Sequence, residues 1–382
     1  MSCFGSRWVE APDGVEVLDP AELAPGFRAA GVACGLKGGG ASDVGLVACE
    51  EETSSALLLT RNAAAAAPVR VCRERCDAGS LRGAVVNSAN ANAATGEQGY
   101  RDALAIQEAG ARALGCEPRK VAVAETGKIG VPLEVGRVET GVAAAGERLD
   151  GGGGLRFAEA IMTTDRAPKA VTVRAGEVTV SAQAKGAGMI EPGFATMLCF
   201  VQTDAELSNA DGELRRAADA SFERITVDGQ MSTNDTVLLQ ANGAAGRRLP
   251  IGLLDAVLLQ LALEVVADGE GATRVGRVEV CEAVSTEEAE RVARAIANSP
   301  LVKTALHGRD PNWGRIAQAA GMALAGEELR ELGPGEIEAE ELGGEGAEAE
   351  VSVRLGRGQR SAHMYFSDLT AEYVRINAEY ST

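Results

Sequence analysis

Residues 185–200 read KGAGMIEPGFATMLCF and place the small pair Ala195-Thr196 between a glycine- and proline-bearing stretch and an apolar run. Glycine opens backbone angles closed to other residues and proline fixes its own, so the segment has the makings of one unusual backbone shape around a hydroxyl. A threonine inside a chain is a poor nucleophile, and no His or Asp stands at a spacing that implies a Ser-His-Asp arrangement. Breaking the bond before Thr196 changes this. The threonine then carries a free α-amine with a reference pKa of about 7.7–8.0, able to take the proton from its own hydroxyl. The hydroxyl would attack the Ala195 carbonyl and hold its acyl group as an ester until water releases it, a step that backbone strain favours. The same residues also suit a plain loop entering a buried helix or strand.

Such a segment needs a frame, and both helix and strand patterns surround it. Residues 100–114 have helical composition, with Gly115 at a left-handed C-cap position, and VAVAE at 121–125 reads as a strand. VTVRAGEVTV at 171–180 alternates on both sides of Ala175-Gly176, a hairpin leading straight into the motif. Ser285 and Glu288 form a capping-box pair before a helix with Val292 and Ile296 on one face. Strands are expected at 275–280 and 351–355, and Asp368 is placed to cap a helix through 370–377. The order is α+β, without a regular βαβ or internal repeat. The Gly clusters at 38–40 and 151–154 and the Glu-dense run 327–350 read as loops or solvated edges.

Composition narrows the function. The 382 residues are 46% hydrophobic and 24% charged, as in globular proteins, with room for two or three domains. A formal net charge of −18 argues against nucleic acid or anionic membrane as partner, because phosphate contacts need clustered cations. The longest apolar stretch, 253–267, is interrupted by Asp255, Gln260 and Glu264 and reads as a buried helix, not a membrane span. With no basic-then-apolar leader, a cytoplasmic location is expected. Only Cys72 and Cys76 among eight cysteines are close together, without a second pair, and His307 and His363 stand alone, so no metal site is expected. No glycine cluster has P-loop or dinucleotide-binding spacing.

KGAGMIEPGFATML resembles the self-cleavage motif of the ornithine acetyltransferases, or bifunctional glutamate N-acetyltransferases, of arginine biosynthesis. Further stretches agree in family order: GFRAAGVACGLK (26–37), VNSANANAATG (86–96), ETGKIG (125–130), TTDRAPK (163–169), RITVDGQMSTNDTV (224–237), DGEGATR (268–274), SPLVKTALHGRDPNWGRI (299–316) and YVRINAEYST (373–382). The resemblance covers nearly the whole chain. It implies a two-lobed α+β fold, cleavage between Ala195 and Thr196 into an alpha chain (1–195) and a beta chain (196–382), and a heterotetramer of two of each. It also implies transfer of acetyl from N2-acetyl-L-ornithine to L-glutamate through an acetyl-Thr196 ester, without cofactor, with acetyl-CoA left open as a co-substrate.

By the same resemblance Thr196 matches the nucleophile and Thr126 with Gly127 the oxyanion-hole pair, while Thr164, Lys185, Glu270, Asn377 and Thr382 match substrate-binding positions. Apart from it, Glu270 is a loop acid, Lys185 a surface cation, and Asn377 and Thr382 a frayed tail. The sequence departs from the family pattern at Gly193-Phe194, where Asn-Met is common, at Glu125, where a small hydroxyl residue is common, and at Ala94, where cysteine is frequent. A hydrolase that passes its acyl-threonine to water and a non-catalytic small-molecule binder are the competing readings.

Overall fold

The computed structural model describes residues 4–191, 197–329 and 331–379. Three sheets organise them, in an α+β order. The first runs Val15–Val17, Lys169–Ala175, Val178–Lys185, Leu198–Thr203, Thr236–Ala241, Ser54–Leu59. Strands Val178–Lys185 and Leu198–Thr203 pair antiparallel with Lys185 opposite Leu198, so the expected cleavage motif is the connection between two adjacent strands. The hairpin expected before it is present, with Ala175 paired to Val178 around Gly176-Glu177.

Period-two alternation sorts this sheet's side chains into two cores. Cys199, Val201, Val237 and Leu239 face helices Ala210–Asp219 and Leu253–Ala267. Leu198, Phe200 and Leu238 face the other way, onto the second sheet, ordered Phe27–Val32, Val44–Cys49, Gly83–Asn87, Val121–Glu125. Between the sheets Phe157 meets Phe200 edge to face, centroids 5.2 Å apart. Truncating either ring to alanine would cost about 3–5 kcal/mol. Phe157, on helix Gly154–Ile161, thereby ties that helix to the strand of Phe200, and the site is built from strand ends of both sheets.

The third sheet, ordered Ile225–Thr226, Arg360–Ser367, Val275–Ala283, Glu348–Arg354, Ile337–Glu338, carries helices Thr286–Ala297 and Trp313–Ala323 over a core of Val278, Val280, Val351, Val353 and Met364. The Ser285 cap forms, Glu288 N donating to Ser285 Oγ at 3.1 Å, but the Glu288 carboxylate reaches one residue further back than a capping box requires and accepts from Val284 N at 2.8 Å. Gly115 closes helix Gly96–Leu114 with φ 62°. Helix Leu253–Ala267 is buried on most sides, and its Asp255 pairs with Arg216. Among the described residues no helix is long and apolar enough to cross a membrane.

Two local expectations fail for identifiable reasons. The Glu-dense run is not simply a solvated edge, because Leu332, Ile337, Ala339 and Leu342 among its acids are buried in the third core and Glu341 pairs with Arg7 at 2.5 Å. Asp368 does not cap the last helix. Its carboxylate accepts from Thr273 N at 2.8 Å and Arg274 N at 3.1 Å, and Thr370 Oγ1 caps helix Ala371–Glu379 instead by accepting from Tyr373 N at 3.2 Å. The paired cysteines serve the core: the Cys72 and Cys76 thiols donate to the Val123 and Val121 carbonyls at 3.2 and 3.3 Å.

Candidate active site

Lys185 ends its strand with its side chain almost wholly buried, 8% exposed. Its ammonium donates to Thr163 Oγ1 at 2.7 Å and Thr126 Oγ1 at 3.2 Å. An ammonium has only donors, so both hydroxyl oxygens accept and their own protons point elsewhere. Burial lowers the pKa of Lys185, opposed by the charge of Asp165. Burial alone would raise Asp165, but Lys185, Lys169 and its hydrogen bonds outweigh that and hold it at about 2. Asp165 accepts from Lys169 Nζ at 2.7 Å, Gly186 N at 2.7 Å and Thr163 N at 2.9 Å, tying the threonine pair, the lysine strand and the glycine turn to one anion.

The segment before the expected cleavage point is pinned by carboxylates. Asp228 accepts from Met189 N at 2.6 Å and Ile190 N at 2.9 Å. Glu191 is held by Arg294 at 2.8 Å and Asn298 at 2.9 Å. Met189 has φ 59°, a left-handed conformation that costs a side-chain-bearing residue roughly 1–2 kcal/mol and persists here under those two hydrogen bonds.

Thr126 and Gly127 leave the end of strand Val121–Glu125 and lie against the asparagine-rich turn that follows strand Gly83–Asn87. Thr126 N donates to Asn87 O at 3.0 Å, and Lys128 N to Ala89 O at 3.2 Å. A side chain at Gly127, φ 134°, would fall 2.2 Å from the Ala89 carbonyl carbon, so only glycine fits. The turn keeps its shape through its own amides: Asn87 Nδ2 donates to Asn90 O at 3.1 Å, Asn92 N to Asn90 Oδ1 at 2.8 Å, and Thr95 Oγ1 to Asn92 Oδ1 at 2.7 Å. From the opposite side Asn234 Nδ2 clamps both walls, donating to Ala91 O at 2.7 Å and Glu125 O at 2.8 Å.

These groups surround one pocket. Thr126, Gly127, Thr163, Thr164, Lys185, Glu270 and Asn377 all line it, with Asn234 and Asp235 on one wall and Met197 and Leu198, which follow Thr196 in the chain, on another. Asn377 Nδ2 donates to Glu270 Oε2 at 2.8 Å, so the last helix closes over the acid. A side chain at Gly188 would fall 2.6 Å from the Glu270 carboxyl carbon, which explains a second glycine of the motif. Burial holds the Asp235 carboxyl well above the ordinary carboxylate range.

Six of the residues picked out in the sequence, Thr126, Gly127, Thr164, Lys185, Glu270 and Asn377, are therefore brought together. Ala195, Thr196 and Thr382 lie outside the described residues, as does the division at 195/196. Lys185 is a buried cation, not a surface one, and Asn377 belongs to a helix, not a frayed tail. Thr163, the neighbour of Thr164, makes the contact with Lys185. Asp165, Asn234 and Asp235 were not singled out. Polar residues at buried positions next to strand ends are their signature, and burial is invisible until the fold is known.

The model of the ArgJ family matches residues 28–382. The arginine biosynthesis bifunctional protein ArgJ of Symbiobacterium thermophilum is 43% identical, over 94% of this chain and 97% of its own. That of Thermosynechococcus vestitus is 39% identical over 99% of this chain and all of its own. Among solved structures, ornithine acetyltransferase of Mycobacterium tuberculosis complexed with ornithine aligns at 38% identity with a TM-score of 0.45, covering 48% of this chain and 99% of that one. By the family match over residues 28–382 and the two ArgJ proteins similar over nearly the whole chain, the chain belongs to the ArgJ family and is an acyltransferase of arginine biosynthesis.

Proposed function

We propose that the chain moves an acetyl group from N2-acetyl-L-ornithine to L-glutamate in two half-reactions joined by an acetyl-Thr196 ester. The observation that carries this is the convergence of Lys185, Thr126 and Gly127 with Glu270 and Asn377 on a pocket whose wall includes Met197, next in sequence to Thr196. In the first half-reaction the Thr196 hydroxyl oxygen bonds to the acetyl carbon and its proton goes to the Thr196 α-amine. The tetrahedral oxyanion collapses, the bond to the ornithine nitrogen breaks, and that nitrogen takes the proton as it leaves. The glutamate amine then attacks the ester, and Thr196 regains its proton as N-acetylglutamate departs.

Each half-reaction passes through an oxyanion. The Thr126 hydroxyl, its oxygen already accepting from Lys185, has its proton free to donate, and the Gly127 N–H is the second donor of this reading. Removing one such donor typically costs 10²–10³-fold in turnover, about 2.7–4 kcal/mol. Lys185 and Glu270 offer opposite charges to a substrate that carries carboxylate and ammonium groups. The free α-amine comes from self-cleavage after Ala195, giving chains 1–195 and 196–382 that remain associated in a heterotetramer of two alpha and two beta chains, in the cytoplasm. No cofactor is required for these steps, and acetyl-CoA is a second acetyl donor to be tried.

The test is acetyl release from N-acetylornithine with and without glutamate. Ornithine should accumulate catalytically only with glutamate present, together with equal N-acetylglutamate. Equal turnover without glutamate would make the protein a hydrolase, and no turnover in a correctly cleaved sample would make it a binder.

A further inference from the structure

Glu125 directly precedes Thr126 and Gly127 and stands opposite Asn87 in the parallel pairing of their strands. Side chains at such registered positions leave the same face of the sheet on strands about 4.8 Å apart. Both residues are fully buried. The Asn87 side chain leaves the sheet beside that of Glu125, and its Nδ2 donates to Asn90 O at 3.1 Å, which fixes the amide's orientation. Flipping it would set an oxygen against that carbonyl. On the other side Glu125 Oε1 accepts from Asn92 Nδ2 at 3.0 Å, and Asn92 is itself fixed by donating to Gly99 O at 2.9 Å and accepting from Thr95.

What remains is a mismatch. Among the described residues, Asn87 Oδ1 and Glu125 Oε2 are buried without a hydrogen-bond partner. Both are acceptors if Glu125 is ionised, and two dehydrated acceptors on paired positions would each carry an uncompensated cost of about 1–3 kcal/mol. One proton on Oε2 satisfies both.

We infer that Glu125 is a positioning residue held as a neutral carboxylic acid, which donates through Oε2–H to Asn87 Oδ1 and thereby fixes the strand end that presents Thr126 and Gly127. This deepens the acetyl-transfer reading and rests on it for its kinetic consequence. The surroundings favour the neutral form. Burial pushes the Glu125 carboxyl up to about 8, and buried Asp102 from helix Gly96–Leu114 adds to the push, against the amides of Asn92 and Asn87. From helix Ala67–Arg75 the Cys72 thiol is the titratable neighbour. Lys185 contacts Thr126, and Asp235 lines the pocket on that side. Ionising Glu125 would break the bridge to Asn87 and loosen the turn on which Gly127 rests.

The sign of the linkage follows. Glu125 stays protonated in the fold up to about 8 but ionises near its ordinary 4.5 when unfolded, so the wild type loses stability relative to Glu125→Gln as pH rises between those values. The decisive experiment is infrared spectroscopy of the mature protein, wild type against Glu125→Gln, at a pH between them. A protonated-carboxyl C=O band should be present in the wild type, absent from the variant, and lost as pH rises through about 8. No difference in that band would overturn the inference, whatever the acetyl-transfer assay shows, so it fails separately from the functional reading. In kinetics, Glu125→Gln, whose amide can donate to Asn87, should keep kcat within about threefold and shift the alkaline fall of its pH profile upward, whereas Glu125→Ala should lose at least about tenfold in kcat with KM nearly unchanged. Equal losses in both variants would overturn the bridging role, and the Gln variant keeps that test available if the Ala variant does not fold.

Discussion

Lys185 Nζ lies 3.2 Å from Thr126 Oγ1, a contact between the last residue of a strand in one sheet and the first residue beyond a strand in another. It joins Lys185 to the pair proposed as the oxyanion hole and gives a first prediction. Lys185→Met should reduce acetyl transfer about 10²–10³-fold, chiefly in kcat, because the charge acts most when an oxyanion develops. Steady-state kinetics check it. A change confined to KM would assign Lys185 to substrate binding alone.

Gly127→Ala introduces a methyl group 2.2 Å from the Ala89 carbonyl carbon, so the Thr126-Gly127 segment or the asparagine turn must move. Turnover should fall at least about 100-fold while circular dichroism stays near wild type, since a shift of about 1 Å suffices to misplace a donor. Turnover close to wild type would show that neither group acts at the reacting centre.

Asp165 is completely buried between Lys169 and the motif's first turn. Asp165→Asn leaves a buried cation under-compensated and should cost about 3–5 kcal/mol in chemical denaturation. The pH dependence has a defined sign. The folded carboxyl at about 2 lies below its ordinary 3.8, so its contribution is complete above 3.8 and disappears as pH falls towards 2. The gap between wild type and variant should therefore narrow in acid; a gap constant down to the lower value would contradict the assigned ion pair.

Much of this arrangement was legible in the sequence, for unequal reasons. Local signals were readable where a residue's own chemistry decides its conformation: the Ser285 cap, the Gly115 C-cap and the alternating hairpin before the motif all formed. Asp368 failed as a cap because tertiary neighbours, Thr273 and Arg274, claimed its carboxylate. The pocket's residues were found through motif resemblance, since Thr126, Lys185, Glu270 and Asn377 are far apart in sequence and no periodicity joins them. Their supports, Asp165, Asn234 and the Glu125–Asn87 pair, depend on strand register within a sheet and on contacts between loops and strand ends that only the fold brings together. Spacing along the chain does not encode that register.

Gly188 lies so close to Glu270 that a Cβ would sit 2.6 Å from the carboxyl carbon, and Asn377 holds the same carboxylate at 2.8 Å. Gly188→Ala and Asn377→Leu should both displace Glu270 and raise KM for the amino-acid substrates about tenfold, with smaller effects on kcat. Isothermal titration with ornithine provides an independent check, and unchanged affinity in both variants would remove Glu270 from substrate binding.

The central claim is an acetyl ester on Thr196, and mass spectrometry of the intact protein, quenched in acid shortly after mixing with N-acetylornithine in the absence of glutamate, tests it most directly. The account predicts two chains ending and beginning at Ala195 and Thr196, the second carrying one acetyl group that disappears when glutamate is added, and a single uncut, unacetylated chain for Thr196→Ala. Acetyl transfer by a wild-type sample that remains one chain, or that never carries acetyl on the chain beginning at Thr196, would contradict it.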